Sequence, residues 1–350
     1  MRESELFFLL SINRMRSLKS VEKIILAERV KNLEELLLLG IHEIEGLVGR
    51  RLKCPDSWED VQRKVEKDMK HLTSGKIGCT FYWDKDYPPL LRKIYDPPYM
   101  LFYRGTLPDN KRIHVAIVGT RKSHAEARKA ARKLAEEWVL AGGIVVSGIA
   151  FGIDAEAHMG SLARKDSAVA VLGNGIDLIY PVSNRWLGRK ILHKGGALLS
   201  EYPPGEPPAK YHFPERNRII SGLSEAVVVV EAPERSGALI TADYALEQGR
   251  ELLVHRLGLS DQAALGTRKL AEEGAGIVEN CYDILKQIGK FERDLPGFDF
   301  QKLQAGNESS ENNGKSITEG SEADYSAASK LVTDLRREMK AKGLLGDFNG

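Results

Sequence analysis

Apolar residues recur at helical spacing through the first 70 or so positions, then give way after residue 111 to short Val- and Ile-rich runs separated by longer amphipathic stretches. LFFLLSI, VEKIILAERV and LEELLLLGIHEIEGLV predict several short helices over 1–74, with Ser20 and Asn32 as N-caps and Gly40 and Gly46 as punctuation. A small all-α domain of this kind, SAM-like or helix-hairpin-helix-like, is a packing or interaction module, or in the second form a contact to DNA backbone. Residues 75–110 change character, with five prolines and the aromatics Phe81, Tyr82, Trp83, Tyr87, Tyr95, Tyr99, Phe102 and Tyr103. Proline this dense argues against helix. The stretch reads as an extended connector with short edge strands, packed on the next domain, its aromatics used for packing ahead of base stacking.

From 111 to 290 the strand-length runs are IHVAIV (113–118), IVVS (144–147), AVAVL (168–172), ALLS (197–200), AVVVVE (226–231) and ELLVHRL (251–257). Helical stretches such as 123–141 and 238–249 lie between them. Strands apolar on both faces and joined by helical crossovers predict an extended Rossmann-like α/β domain, a doubly wound and mostly parallel sheet of six or seven such strands. Residues 291–325 read as a flexible polar linker, and 326–350 as a short C-terminal helix with Ala328, Leu331, Val332, Leu335 and Met339 on one face.

Composition adds limits. Apolar residues at 42% and charged residues at 29% are ordinary for a soluble globular protein, and a net charge of +2 means that any nucleic-acid surface is a local patch. Cys54, Cys79 and Cys281 are far apart with no Cys-x-x-Cys pair, as expected of free thiols in a reducing cytoplasm and not of a zinc site. The run Leu6 to Leu10 follows Glu3 and Glu5, and no stretch reaches the roughly 20 apolar residues of a membrane span. A soluble, cytoplasmic protein without cofactor or metal is the expectation.

In a doubly wound sheet ligands bind beyond the carboxyl ends of the strands. After the first Rossmann strand comes VGTRKSHAEA, where Gly119 allows close backbone approach, Thr120, Arg121 and Lys122 form the turn, and Ser123 can start a helix whose N-terminus faces an anion. The dinucleotide fingerprint G-x-G-x-x-G is absent, which argues against NAD and for a ligand with several phosphates. Basic residues crowd 111–133, most of them readable as a solvated helix face, but not Arg121 in its loop. The second strand ends in VSGIAFGIDAEAH, with Gly148 and Gly152 flanking a turn and Asp154 placed to cap a helix, organise loop N–H groups or bind a base edge. The third ends in VLGNGIDLIYP, with Gly173, Asn174 and Gly175 as a second phosphate-permissive turn. Phe213, Arg216, Asn217 and Arg218, with Tyr211 and His212, sit in a Pro-flanked loop where rings can stack bases and guanidinium groups can meet phosphates. Ser236 and Gly237 begin another helix at a further candidate anion site.

VGTRK, VVSGIAFGIDAEAH, AVLGNGIDLIYP, LLSEYPPG, HFPERNRIISGLS and VVVVEAPERSGALITADYALEQGRE together resemble, in order, the motif set of the DNA-processing protein A (Smf) family, over roughly residues 80–285. The resemblance implies a helical N-terminal domain and a Rossmann-like domain that dimerises and binds single-stranded DNA. It further implies a part in natural transformation, protecting incoming strands and loading RecA onto them, with single-strand-binding protein as a further partner. Carried over by motif, Gly119, Thr120, Arg121, Phe213, Arg216, Asn217 and Arg218 line the DNA pocket. Asp243, Leu246, Glu251, Ala271 and Ile277 mark the dimer and partner surface. Departures are specific. Val182 stands where many relatives are basic, with Arg185 as a replacement; Val254-His255-Arg256 replaces Val-Pro-Gly; GTRKLAEEGA replaces Gly-x-Asn-x-Leu-Ile; and only the linker and one helix stand where a winged helix is common.

An enzyme is the competing reading, a nucleoside-monophosphate glycosidase of related fold with Asp154, Glu201, Glu231 and His158 as acid–base candidates. Its Pro-Gly-Gly-x-Gly-Thr turn is absent, Ala232 to Gly237 standing in that place. A nucleotide-sensing regulator would use the same loops.

Overall fold

The computed structural model describes residues 2–53, 57–74, 76–259 and 264–290. The sequence-predicted linker, C-terminal helix and Cys54 lie outside them. Five helices open the chain, α1 (Glu3–Arg14), α2 (Ser20–Arg29), α3 (Leu33–Leu38), α4 (Ile41–Val48) and α5 (Trp58–Thr73). Asn32 caps α3 as its type predicts, its side chain accepting the Glu35 N–H at 2.9 Å. Two expectations fail here. Ser20 is the first residue of α2, not its cap, and its hydroxyl accepts the Tyr99 N–H at 2.6 Å instead. Gly46 lies inside α4, which ends at Gly49 in the left-handed conformation, φ 75°.

The 75–110 stretch contributes two strands of the main sheet, β1 (Gly78–Phe81) and β2 (Met100–Gly105). It also holds a helix that the proline density argued against, α6 (Pro89–Arg92). That single turn is permitted because Pro89 occupies its first position, where no amide is needed. Phe81, Tyr87, Tyr99 and Phe102 are buried, and Tyr95 is 98% exposed.

The remaining chain alternates β3 (His114–Val118), α7 (Ala125–Leu140), β4 (Ile144–Ser147), α8 (Ile153–Ser161), β5 (Ala168–Leu172), α9 (Arg185–His193), β6 (Ala197–Ser200), α10 (His212–Gly222), β7 (Ala226–Val229), α11 (Gly237–Glu247), β8 (Glu251–His255), α12 (Leu265–Glu272), β9 (Gly276–Val278) and α13 (Cys281–Gln287). The sheet order is β1-β2-β6-β5-β4-β3-β7-β8-β9, parallel from β6 to β9 with β2 and β1 antiparallel at one side. The fold is therefore the expected Rossmann-like, mostly parallel sheet. Strands β7 and β8 stop short of the predicted 231 and 257, and the three-residue β9 has no counterpart among the predicted runs.

Side chains along β5 alternate between two cores. Ala168, Ala170 and Leu172 join one with the N-terminal helices, α8 and α9, while Val169 and Val171 join the other with α6, α10, α11 and α12. The N-terminal helices thus bury Phe8, Leu10, Ile12 and Leu26 in the same core as one sheet face. The chain runs outward from β3 through β4 to one side and resumes at β7 on the other. The topological switch point falls between β3 and β7, the place where sheets of this kind receive ligands beyond the strand ends. Among the described residues no helix is long and apolar enough to cross a membrane.

Candidate nucleic-acid interface

The turn after β3 sits at this switch point. Thr120 donates its N–H to the Glu231 carbonyl beyond β7 at 2.7 Å, tying the two central strands' loops together. Glu231 also accepts the His124 N–H at 3.0 Å, and its carboxylate lies 2.9 Å from the His124 ring Nδ1. Helix α7 starts at Ala125 after His124, not at Ser123. Gly119 is needed for this approach, since a Cβ there would lie 2.5 Å from Ile153 Cγ1. Arg121 and Lys122 are exposed at the tip.

The turn after β4 is built around a buried charge. Asp154 is inside the first turn of α8, whose cap position is Gly152, and its carboxylate accepts the Gly148 N–H at 3.1 Å. Burial raises the Asp154 carboxyl above its ordinary value, against the pull of Arg216. Arg216 is itself buried, with Nη1 donating to the carbonyls of Gly148, at 3.0 Å, and Val171. Burial pushes its guanidinium down to about 10. This pair joins the ends of β4 and β5 to α10 and is a scaffold beneath the surface. Asn174 plays a like part after β5, its buried amide donating to the Gly175 and Leu178 carbonyls at 3.0 Å each.

Residues 212–222, expected as a loop in their first half, form helix α10. Pro214 falls in its first turn, where a missing amide breaks no bond, so the proline-flanked motif reads as loop yet folds as helix. That helix brings Phe213 over Gly173, with room only because Gly173 lacks a side chain: a Cβ would lie 2.8 Å from Phe213 Cδ1. The Arg121 guanidinium carbon is 5.6 Å from the Phe213 ring centroid, and the Tyr180 ring is 5.5 Å from it. Tyr180 is exposed and was not a sequence candidate; the aromatic residue two positions after Leu178, at the end of a glycine turn, was the available signal. Asn217 donates to the Gly237 carbonyl at 3.2 Å, and Ser236 caps α11.

The structure thus brings Arg121 to Phe213, with Tyr180 beside them. Gly119, Gly148, Gly152 and Gly173 permit the close approaches beneath, and Asp154, Asn174 and Arg216 hold the neighbouring turns. Lys122 follows Arg121 at the exposed tip, Asn217 faces the start of α11, and Gly175 packs on the 203–206 loop. Arg218 is elsewhere. Its guanidinium binds Asp96 at 3.1 Å and Glu201 at 2.7 Å; burial works against its charge, but these carboxylates more than offset that and raise it above its ordinary value. Arg185 is exposed on α9, its guanidinium in no ion pair among the described residues. Asp243 and Leu246 on α11, Glu251 opening β8 and Ile277 on β9 are exposed, Ala271 on α12 half-buried, all toward the β8–β9 side of the sheet. The altered GTRKLAEEGA stretch folds as α12, where Thr267 Oγ1 accepts the Ala232 N–H at 2.7 Å. Of the acid–base candidates, Glu201 and Glu231 are engaged as described, and burial pushes the His158 ring down to about 3.

A family model described as DNA recombination-mediator protein A matches residues 78–289. The DNA processing protein DprA of Streptococcus pneumoniae is 38% identical over 263 residues, covering 74% of this chain and 89% of that protein. The X-ray structure of DNA processing protein A from that species superposes with a TM-score of 0.66 at 33% identity, over 82% of this chain and 98% of that one. DNA processing protein A from Helicobacter pylori, whose structure is described as revealing a single-stranded DNA binding mode, matches with a TM-score of 0.53 at 27% identity, over 61% of this chain and 95% of that one. The chain belongs to the DNA recombination-mediator protein A family.

Proposed function

We propose that this chain holds single-stranded DNA in the crevice between β3 and β7 and, as a homodimer, delivers the strand to RecA in place of single-strand-binding protein, as in the uptake of transforming DNA. The convergence of Arg121, Phe213 and Tyr180 on one exposed spot carries the reading. A flat ring offers a stacking surface to any base, and a cation beside it meets the adjoining phosphate, which is what sequence-tolerant strand binding requires. A rigid floor of buried polar contacts keeps the three aligned, so little ordering is left for binding to supply. The homologous Helicobacter pylori protein's single-stranded DNA binding mode supports the same polymer as ligand.

The test is Arg121→Ala, titrated with labelled oligothymidine across a salt series. The salt slope should drop by about 0.7, the share of one phosphate that no longer meets a cation, with weaker binding throughout. An unchanged slope and affinity would remove Arg121 from the site. Delivery to RecA is read separately, as faster filament assembly on strands coated with single-strand-binding protein; no acceleration would leave binding standing and reject delivery.

A further inference from the structure

Helix α9 begins beside the crevice. Asn184, just before it, donates through Nδ2 to the carbonyls of Ile149 and Ala150, at 2.9 and 3.2 Å, in the turn between β4 and α8. The helix reads RWLGRKILH and contains no carboxylate. Leu187, Gly188 and Ile191 are buried against the core, which leaves Arg185, Trp186, Arg189 and Lys190 on the exposed side. Residues 185 and 189 form one i,i+4 row, and 186 and 190 the next. Lys190 Nζ lies 5.2 Å from the Trp186 ring centroid, and the indole is 46% exposed. No ion pair among the described residues neutralises Arg185, Arg189, Lys190 or Lys194. The cationic row runs on into a groove between α7, α8 and α9 that Arg132, Lys190, His193 and Lys194 line, with Glu136 as its single carboxylate.

Cations held on one helix face without counter-charges repel one another and complement a polyanion. On a chain with net charge +2, such a cluster is a local concentration of charge. An exposed indole among the cations adds a base-sized stacking surface, and the lack of hydrogen-bonding acceptors on the face fits a ligand read through its backbone. From residue 185 to 194 the row spans about 14 Å, room for a short run of nucleotides.

We propose that the exposed face of α9 carries the single strand onward from the Phe213 cluster, as a second segment of the same path. This rests on the reading of that cluster as a strand-binding site, and the test separates the two. The full chain carrying Trp186→Ala, Arg189→Ala and Lys190→Ala together is compared with wild type and with Arg121→Ala, on oligothymidines of about 6 and about 20 nucleotides, lengths chosen to fill one segment or both. The triple variant should bind the short strand as wild type does. On the long strand it should bind at least about tenfold more weakly, with the salt slope lower by about 1.4 because two phosphates are no longer neutralised. Arg121→Ala should weaken both lengths. If it does, and the triple variant matches wild type on the long strand or weakens equally on the short one, the α9 path is overturned while the crevice stands. If Arg121→Ala changes neither length, the underlying reading fails. An equal weakening on duplex of the same length also overturns the proposal, because the face is then a general charge surface and not a strand path.

Discussion

Gly173→Ala tests the crevice without removing a single group that could touch DNA. The residue is buried and its backbone is outside the left-handed region, so alanine is tolerated by the main chain. The added Cβ, however, would lie 2.8 Å from Phe213 Cδ1 and 3.2 Å from Cε1, where ordinary contact begins at 3.4 Å. The ring edge has to retreat by about 0.6 Å, which disturbs its present alignment with Arg121 and Tyr180. Base–aromatic stacking contributes roughly 1–3 kcal/mol per base. A displaced ring keeps part of that, so we expect a loss near the lower end, about 1.4 kcal/mol or tenfold in Kd. Fluorescence anisotropy with labelled oligothymidine reads the loss. The salt slope should stay as in wild type because no cation is removed. In a Phe213→Ala background the same glycine substitution should be neutral to within about 0.5 kcal/mol, there being no ring to push. Wild-type affinity for Gly173→Ala, or an equal loss in the Phe213→Ala background, would refute the placement of Phe213 at the binding surface.

Two further outcomes follow from buried titratable groups. His158 is held neutral by burial, its pKa depressed to about 3 against an unfolded value near 6.5, so its contribution to stability is full above pH 6.5 and declines as pH falls toward 3. Between pH 7.5 and pH 5 the wild type should lose about 2 kcal/mol that His158→Gln does not, measured as converging urea midpoints; parallel pH profiles would reject the assignment. Asp68 is fully buried and accepts from Arg14 Nε at 2.6 Å, so Asp68→Ala should cost about 3 kcal/mol in urea unfolding, and a cost under about 1 would mean that Glu206 and the Pro204 carbonyl suffice for Arg14.

The strands were legible because burial on both faces forces continuous Val and Ile runs, and three of them, 144–147, 168–172 and 197–200, begin and end where those runs do. β9 was not, since three residues opening on Gly276 carry no period. Local rules misplaced Ser20 and Pro214, while Asp154 is not the helix cap but organises a loop N–H, the other role its position allowed. Ser20 bonds Tyr99 and Asp154 serves Gly148, while Pro214 only needs to fall in a first turn. Arg121 could be singled out as a cation stranded in a glycine turn. Arg218 looked equivalent to it by composition, yet Asp96, 122 positions earlier, and Glu201 consume its charge. Charge type is written in the sequence; charge availability is written in the fold.

The position of β3 also sets an order of events during synthesis. Val115 pairs on one side with Val145, soon after it in the chain, but on the other with Ala226. Until β7 has been made, the loop bearing Arg121 lacks the Glu231 carbonyl that fixes Thr120, and α10 has no α11 to pack on. A nascent chain long enough to fold β3 to β6 therefore presents an unpaired central strand edge and no completed crevice, and long-range pairings of this kind are slow to form. The proposed strand site is therefore expected to be completed only when the second half of the sheet closes on the first.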